Sequence, residues 1–372
     1  MKQTIKNIFF LGVKELRGLS RDWMLLALIA YAFTIGVYVS GNAAGDTISK
    51  AAIAVVDEDN SQASKRICDA FFPPMFLPAE TITLNEIDPA MDEGKYTFVL
   101  VIPSGFEQDV KAGRDPDIQL NVDATRMSQA FTGSGYIQQI INRELAIYEN
   151  KGVVPKAKVQ TVVRNRYNAN LTQKWFKGVM QLVSSITMLA IILTGSALIR
   201  ERENGTLEHL LVMPVTPFEI MFSKIWSMLL VVLIATLVSL LVVIMQLLDT
   251  PVNGSIGLFT LGVALHLFAV TSLGIFLACI AQNMPQLGML LILVLLPMQM
   301  LSGGSTPMES MPEWVQYVMQ AAPTTHFVEF CQAILFRGAG MSVVWKPFAA
   351  LFAIGAVLFA FSLSRFRKSV AQ

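Results

Sequence analysis

From Thr250 to Met308 the chain runs 59 residues without one Asp, Glu, Lys or Arg, and His266 is the one histidine in that run. A bilayer-crossing helix needs about 20 apolar residues, so this stretch is long enough for two spans. A chain with such a run folds against lipid, and its function has to be read from which segments lie on which side. Composition agrees, with 53% hydrophobic and 15% charged residues, against roughly 25% charged in soluble domains. A net charge of +1 gives no electrostatic reason to expect nucleic acid as a partner. Cys68, Cys279 and Cys331 follow no metal-ligand spacing. The topology below puts Cys68 and Cys331 on one side of the membrane, but nothing in their spacing requires a bridge.

Six uncharged, largely apolar segments are predicted to span: Trp23 to Gly41, Gly178 to Ile199, Ile225 to Leu248, Ile256 to Ala281, Pro285 to Leu301 and Pro347 to Ser364. With no water in the hydrocarbon, each must satisfy its own backbone, which makes them helices. The expected fold class is therefore membrane all-α, with six transmembrane helices and an extracytoplasmic α/β domain inserted between helices 1 and 2. Orientation follows from Lys and Arg in the short connections. With the N-terminus inside, Lys2, Lys6, Lys14, Arg17, Arg21, Arg200, Arg202, Lys224, Arg365, Arg367 and Lys368 fall in the cytoplasm, against Arg337 and Lys346 outside. Both termini are then cytoplasmic, with 365–372 as a short tail. The hydrophobic run from Trp23 is longer than a signal peptide's core and starts after some 20 residues, so it reads as a retained anchor. Before it, Ile5, Ile8, Phe9, Gly12, Val13, Leu16 and Leu19 recur at three and four, with the basic side chains mostly elsewhere. That is the pattern of an interfacial helix over 1–22.

Residues 42–177 have ordinary polarity and many charges. Ile53 to Val56 begins a strand, and Ser61 is placed to cap a helix running to Phe71. Thr97 to Ile102 is a second strand, followed by a short helix with a Ser104/Glu107 capping box. Ile118, Leu120 and Val122 alternate with polar residues as in a half-buried strand. A long helix is expected from Thr125 to Tyr148, and another strand from Val159 to Val163. Gly133-Ser134-Gly135 lacks the preceding strand and the following Lys of a phosphate loop.

The sequence contains no Walker lysine loop, no His-Glu-x-x-His, no G-x-S-x-G and no paired-cysteine metal site, so no cofactor is expected. His266 is a functional candidate because an ionisable group inside a span is one by default. Its alternative is a neutral imidazole hydrogen-bonded to a neighbouring helix. Carboxylates are missing from the span interiors, whereas ion-coupled carriers usually place them there. Energy for any transport is thus expected from a separate polypeptide.

The connection after the second span carries the most information. Gly205 is placed to break the helix leaving the membrane and Thr206 to cap a new one. Leu207, Leu210 and Leu211 give that helix an apolar face, with Glu208 near its positive end. Pro214 stops it, and Thr216 with Glu219 forms a capping box with Pro217 at the first helical position. A presented amphipathic helix and a plain turn between spans both fit these residues. The run Glu203-x-Gly205-Thr206-x-Glu208-x-Leu210-x-x-x-Pro214-Val215, with six spans and the N-terminal interfacial helix around it, closely resembles the ABC-2 family of ATP-binding-cassette transporter permeases. Residues 302–340, with Pro307, Met311-Pro312, Trp314 and Pro323-Thr324-Thr325-His326, resemble the family's outer re-entrant segment between spans five and six. The large insert is similar to that of bacterial export permeases that work beside a membrane-fusion adaptor protein.

The resemblance implies an inner-membrane permease subunit that exports hydrophobic or amphipathic, drug- or lipid-like molecules and is not itself an enzyme. It implies a cytoplasmic ABC ATPase subunit and a second permease, in a homodimer or heterodimer, as partners beside membrane lipids. Residues 200–219 would be the coupling helix, with Glu203, Gly205, Thr206, Glu208, Leu210, Pro214 and Val215 as its coupling positions. The competing class is a membrane-anchored receptor whose outer domain binds a ligand, but six spans and the lack of a cytoplasmic signalling domain fit it poorly. Met289, Met298 and Met300 would suit an apolar pathway wall and suit lipid-facing or packing roles equally.

Overall fold

The computed structural model describes residues 2–43, 50–114, 116–123, 127–149, 173–206, 214–304 and 306–370. The chain forms two compact units, Met1–Ala43 with Asn165–Gln372, and Ala44–Arg164. The first unit opens with α1 (Lys2–Arg21), α2 (Trp23–Phe33) and α3 (Ile35–Asn42). Asp22 caps α2 by accepting from the Leu25 N–H at 3.2 Å. The first expected span is thus two helices, interrupted at Thr34, whose backbone departs from helical geometry (φ −115°, ψ −77°).

The second unit contains β1 (Ile53–Asp57), α4 (Gln62–Asp69), β2 (Glu80–Thr81), α5 (Ile87–Asp92), β3 (Phe98–Ile102), α6 (Phe106–Lys111), β4 (Gln119–Val122) and α7 (Met127–Glu149). The sheet order is β2-β1-β3-β4, with β1 parallel to both neighbours and β4 antiparallel to β3. Alternation in the strands sends side chains to two separate cores. Ile53, Val55, Phe98, Leu100 and Ile102 pack with Ile67, Phe106, Val110 and Ile137. Ala54, Val56 and Val99 pack on the opposite face with Ile87 and Tyr96. Ser61 caps α4 as expected, in a reciprocal box with Ser64. The Ser104/Glu107 box does not form. Instead α6 follows Gly105 in the left-handed region (φ +80°), and Glu107 pairs with Lys111 and accepts from the Tyr148 hydroxyl at 2.5 Å. A tertiary partner on α7 has displaced the local one. The two-residue β2 is too short to leave a sequence pattern, and the expected Val159 to Val163 strand lies outside the described residues.

The first unit resumes with α8 (Gln173–Glu203), α9 (Pro217–Val238, continued by π turns over Ser239–Leu247), α10 (Ile256–Ile280) and α11 (Met284–Met300). It closes with α12 (Glu313–Gln320), α13 (Pro323–Cys331, continued by π turns to Phe336) and α14 (Met341–Val370). Among the described residues, five segments are long and apolar enough to cross a membrane: Trp23–Asn42, Gln173–Glu203, Pro217–Leu247, Ile256–Ile280 and Met341–Lys368. The fifth expected span, α11, has 17 residues, or about 25 Å at 1.5 Å per residue, short of the roughly 30 Å hydrocarbon core. Helices run past the apolar limits because backbone bonding does not stop where charge begins. Lys224, just before the third expected apolar span, accordingly lies inside α9, the helix that starts at Pro217.

Several buried polar side chains of the helical unit bond to backbone carbonyls or to each other. Ser185 on α8 and Ser239 at the end of α9 donate to the carbonyls of Ala32 and Phe33, at 3.2 and 2.5 Å, beside the interruption at Thr34. In an apolar medium carbonyls near a helix break need such donors. His266 is fully buried; its Nε2 lies 2.9 Å from the Thr187 hydroxyl on α8, and its ring stacks on Phe327 at 3.8 Å. This matches the hydrogen-bonded alternative. Cys68, Cys279 and Cys331 are free thiols. Where α8 crosses α10 the backbones nearly touch: a Cβ on Gly274 would lie 2.8 Å from the Ile191 carbonyl, and one on Gly195 3.2 Å from the Gly274 carbonyl. Such small-residue crossings bring membrane helices to their closest approach. Gly274→Ala is expected to destabilise by about 1–3 kcal/mol through overpacking, read as a lowered Tm in detergent. Gly288→Ala, where nothing lies within 4 Å, serves as the neutral or stabilising control.

Candidate coupling site

The charges that the spans exclude collect at one end of the helical unit, where α8 ends, α9 begins and α1 lies across both. Lys224 is at its centre, two turns inside α9, with its side chain 1% exposed. A Lys buried this deeply keeps its charge only with carboxylates in direct contact. Its Nζ lies 2.9 Å from Glu15 on α1 and 2.6 Å from Glu201 on α8. The other Glu201 oxygen accepts from Lys14 at 2.7 Å. The result is an alternating chain, Lys14–Glu201–Lys224–Glu15, that sums to zero charge and joins three helices. Burial raises the Glu15 pKa above the usual carboxylate range, against the lowering pull of Lys224.

Further bonds fix α1 in register. The Trp226 indole donates to the Ile8 carbonyl at 3.1 Å and stacks on Phe9 at 6.1 Å. Asn7 donates to Glu219 at 3.4 Å, whose carboxylate also closes the Thr216 capping box at the start of α9. At the α1–α2 junction Asp22 accepts from Arg200 at 2.8 Å. The Leu25 N–H and then Arg200 hold the Asp22 carboxyl below its ordinary pKa of 3.8. This tie is therefore intact above the ordinary carboxylate range and is lost as pH falls through the depressed value. A cavity of about 220 Å³ beside the network is lined by Lys14, Glu15, Leu25, Leu193, Arg200 and Glu201, among others.

The residues singled out by sequence lie next to this network and differ in what they touch. Glu203 ends α8, is exposed, and accepts from the Met284 N–H at 2.8 Å. Gly205 has φ +67°, the left-handed conformation in which an added side chain is strained, so it ends the helix as expected. The Thr206 hydroxyl donates back to the Glu201 carbonyl at 3.1 Å. Val215 packs at the edge of the bundle core, and exposed Pro214 precedes the Thr216/Glu219/Pro217 start of α9. Glu208 and Leu210, with the rest of the expected amphipathic helix over 207–213, lie outside the described residues. Sequence reasoning missed Glu15, Lys14, Glu201 and Lys224 as a group. The one available signal was Lys224 itself, a lone cation in an otherwise uncharged run after Glu219.

A family model described as ABC-2 family transporter protein matches residues 23–364. The chain belongs to the ABC-2 family. It is a transmembrane permease, and permeases of this family work with cytoplasmic ATPase subunits. It is 57% identical to the inner membrane transport permease YhhJ of Escherichia coli K12 over 370 residues, 98% of each chain. It is 29% identical to the probable multidrug ABC transporter permease YbhR of the same organism over 362 residues, 96% of this chain and 97% of that one. With the probable multidrug permease YbhS it shares 27% over 345 residues, 90% and 89% of the two chains.

Because Lys224 neutralises two buried carboxylates, Lys224→Ala is expected to cost about 3–5 kcal/mol by stranding them. The Lys224→Met/Glu15→Gln double variant should recover part of that loss. Both are measured as thermal unfolding of the purified permease.

Proposed function

We propose that this permease is the membrane subunit of an ATP-driven exporter that moves hydrophobic or amphipathic molecules outward, with hydrolysis on a separate cytoplasmic ATPase. The observation that carries this reading is the buried ion chain, which makes α1, α8 and α9 one mechanical body at the point where the Glu203 to Val215 connection enters. A displacement applied to that connection is then passed to the helices rather than absorbed by a floppy loop. Glu203, Gly205, Thr206, Glu208, Leu210, Pro214 and Val215 are the proposed coupling positions, and residues 200–219 the docking element. The drug- or lipid-like substrate class is supported by the multidrug designation of YbhR and YbhS and by the lack of charge in the spans.

The proposed topology keeps both termini and the ion network in the cytoplasm and the Ala44–Arg164 unit outside, in the inner membrane. It counts α11 as the fifth of six crossings, tilted lipid or local thinning compensating for its length. Residues 302–340, with α12 and α13, form the outer re-entrant segment. A second permease, identical or related, completes the pathway, and a membrane-fusion adaptor is the proposed partner of the insert.

Three outcomes test this reading. A maleimide that cannot cross membranes is expected to label a cysteine replacing Asp92 in intact cells and to miss one replacing Arg367; the reverse pattern overturns the topology. The purified permease alone should hydrolyse no ATP. With its co-purified ATPase, Glu208→Ala or Gly205→Val should reduce efflux of an amphipathic dye such as ethidium about tenfold or more while the ATPase still co-purifies, consistent with about 1.4 kcal/mol of lost coupling. Unchanged efflux in both variants sinks the coupling assignment.

A further inference from the structure

The last two residues of α8 carry opposite charges, and each meets the helix end whose partial charge it complements. Arg202 donates from Nη1 to the Ala281 carbonyl at 2.7 Å, at the C-cap of α10. Glu203 accepts at 2.8 Å from the N–H of Met284, the first residue of α11. Carbonyls at a helix C-terminus lack intrahelical donors and carry partial negative charge, while N–H groups at an N-terminus lack acceptors and carry partial positive charge. A consecutive Arg-Glu pair therefore grips both sides of the single turn 281–284. That turn is otherwise closed by its own bonds, Gln282 N–H to the Gln286 side chain at 2.7 Å and Gln286 N–H to the Asn283 side chain at 2.9 Å. It is a rigid object for the pair to hold.

What the turn controls is α11. That helix buries one stripe, Leu287, Leu291, Leu295 and Met298, and exposes Met289, Ile292, Leu293, Leu296 and Met300. Leu287 also lies against α8 at Gly195, where an added Cβ would meet it at 3.4 Å. The N-terminal end of α11 is thus joined to α8 by polar and apolar contacts in adjacent turns.

We infer that Arg202 and Glu203 form a clamp that makes α11 move with α8, so that Glu203 is a positioning residue for α11 rather than a docking contact for the ATPase. The inference rests on the transport reading above and reassigns one of its coupling positions. It explains why a carboxylate belongs at the end of α8: the acceptor must reach a backbone N–H across a helix-to-helix gap, which a Glu at the last helical position does and an Asp, one methylene shorter, does not.

The test is hydrogen–deuterium exchange of the full permease with its co-purified ATPase in lipid nanodiscs, with and without ATP and vanadate. Glu203→Ala is expected to speed exchange in the 281–290 segment about fivefold, the size of a lost helix-end interaction. Glu203→Gln, which keeps the acceptor oxygen, should stay within about twofold of the parent protein. The parent should also show an ATP- and vanadate-dependent change in exchange over 284–300 that Glu203→Ala abolishes, with the ATPase co-purifying in unchanged amount. Unchanged 281–290 exchange in Glu203→Ala overturns the clamp, as does Glu203→Gln behaving like Ala. Loss of the ATPase from Glu203→Ala assigns the residue to docking instead and also overturns it. If no ATPase co-purifies with the parent, the transport reading fails by itself, while the nucleotide-free comparison of Ala with Gln still decides the clamp.

Discussion

The ammonium of Lys224 sits where solvent cannot reach it, and the geometry of the surrounding helices follows from that. A buried cation tolerates little displacement of its counter-charges, so Glu15 and Glu201 are held within 2.9 Å of it. Lys14 balances the second carboxylate. Alternation of sign gives each interior charge two opposite neighbours, the arrangement in which burial is least unfavourable. Removing the ion chain would leave α1 attached mainly by the Trp226 contacts, the Asn7–Glu219 bond and the Asp22–Arg200 pair. A helix fixed this way is part of the bundle rather than a separate element on its surface.

Away from that end, the same rule acts on neutral groups. The interruption at Thr34 is tolerated because two serines from neighbouring helices reach the carbonyls beside it. Ser362 on α14 likewise donates to the Ser272 carbonyl on α10 at 2.8 Å. His266 has its Thr187 partner and a ring beneath it. Where no side chain intervenes, as at Gly195 and Gly274, the helices close to backbone contact. Hydroxyls and glycines therefore set the packing of a unit whose apolar side chains have lipid as an equally good neighbour.

Much of this architecture was legible in the residues. The apolar runs placed the long helices, the Thr216/Glu219/Pro217 start of α9 formed as read, and Gly205 ended α8 in the left-handed conformation its identity suggested. The apolar runs at Ile53 and Phe98 and the alternation around Leu120 identified three strands of the insert. The Ser104/Glu107 box failed because local capping competed with Tyr148, some 40 residues away in sequence, which no local pattern reveals. Lys224 lies on the helix launched at Pro217, as read, but its burial against Glu15 and Glu201 comes from tertiary contacts that hydropathy does not register.

The sequence by itself determined that this chain is a membrane protein of helices with an α/β insert, because these depend on composition and local periodicity; the Glu203 to Val215 run added a resemblance to a family, which the match over residues 23–364 bears out. Only the tertiary structure decided which charges meet. Glu15, Glu201 and Lys224 come from three separate segments, and Arg202 and Glu203 reach a turn near residue 283. Electrostatic partnership is a matter of distances in space, strengthened where water is excluded, and sequence separation carries no information about it.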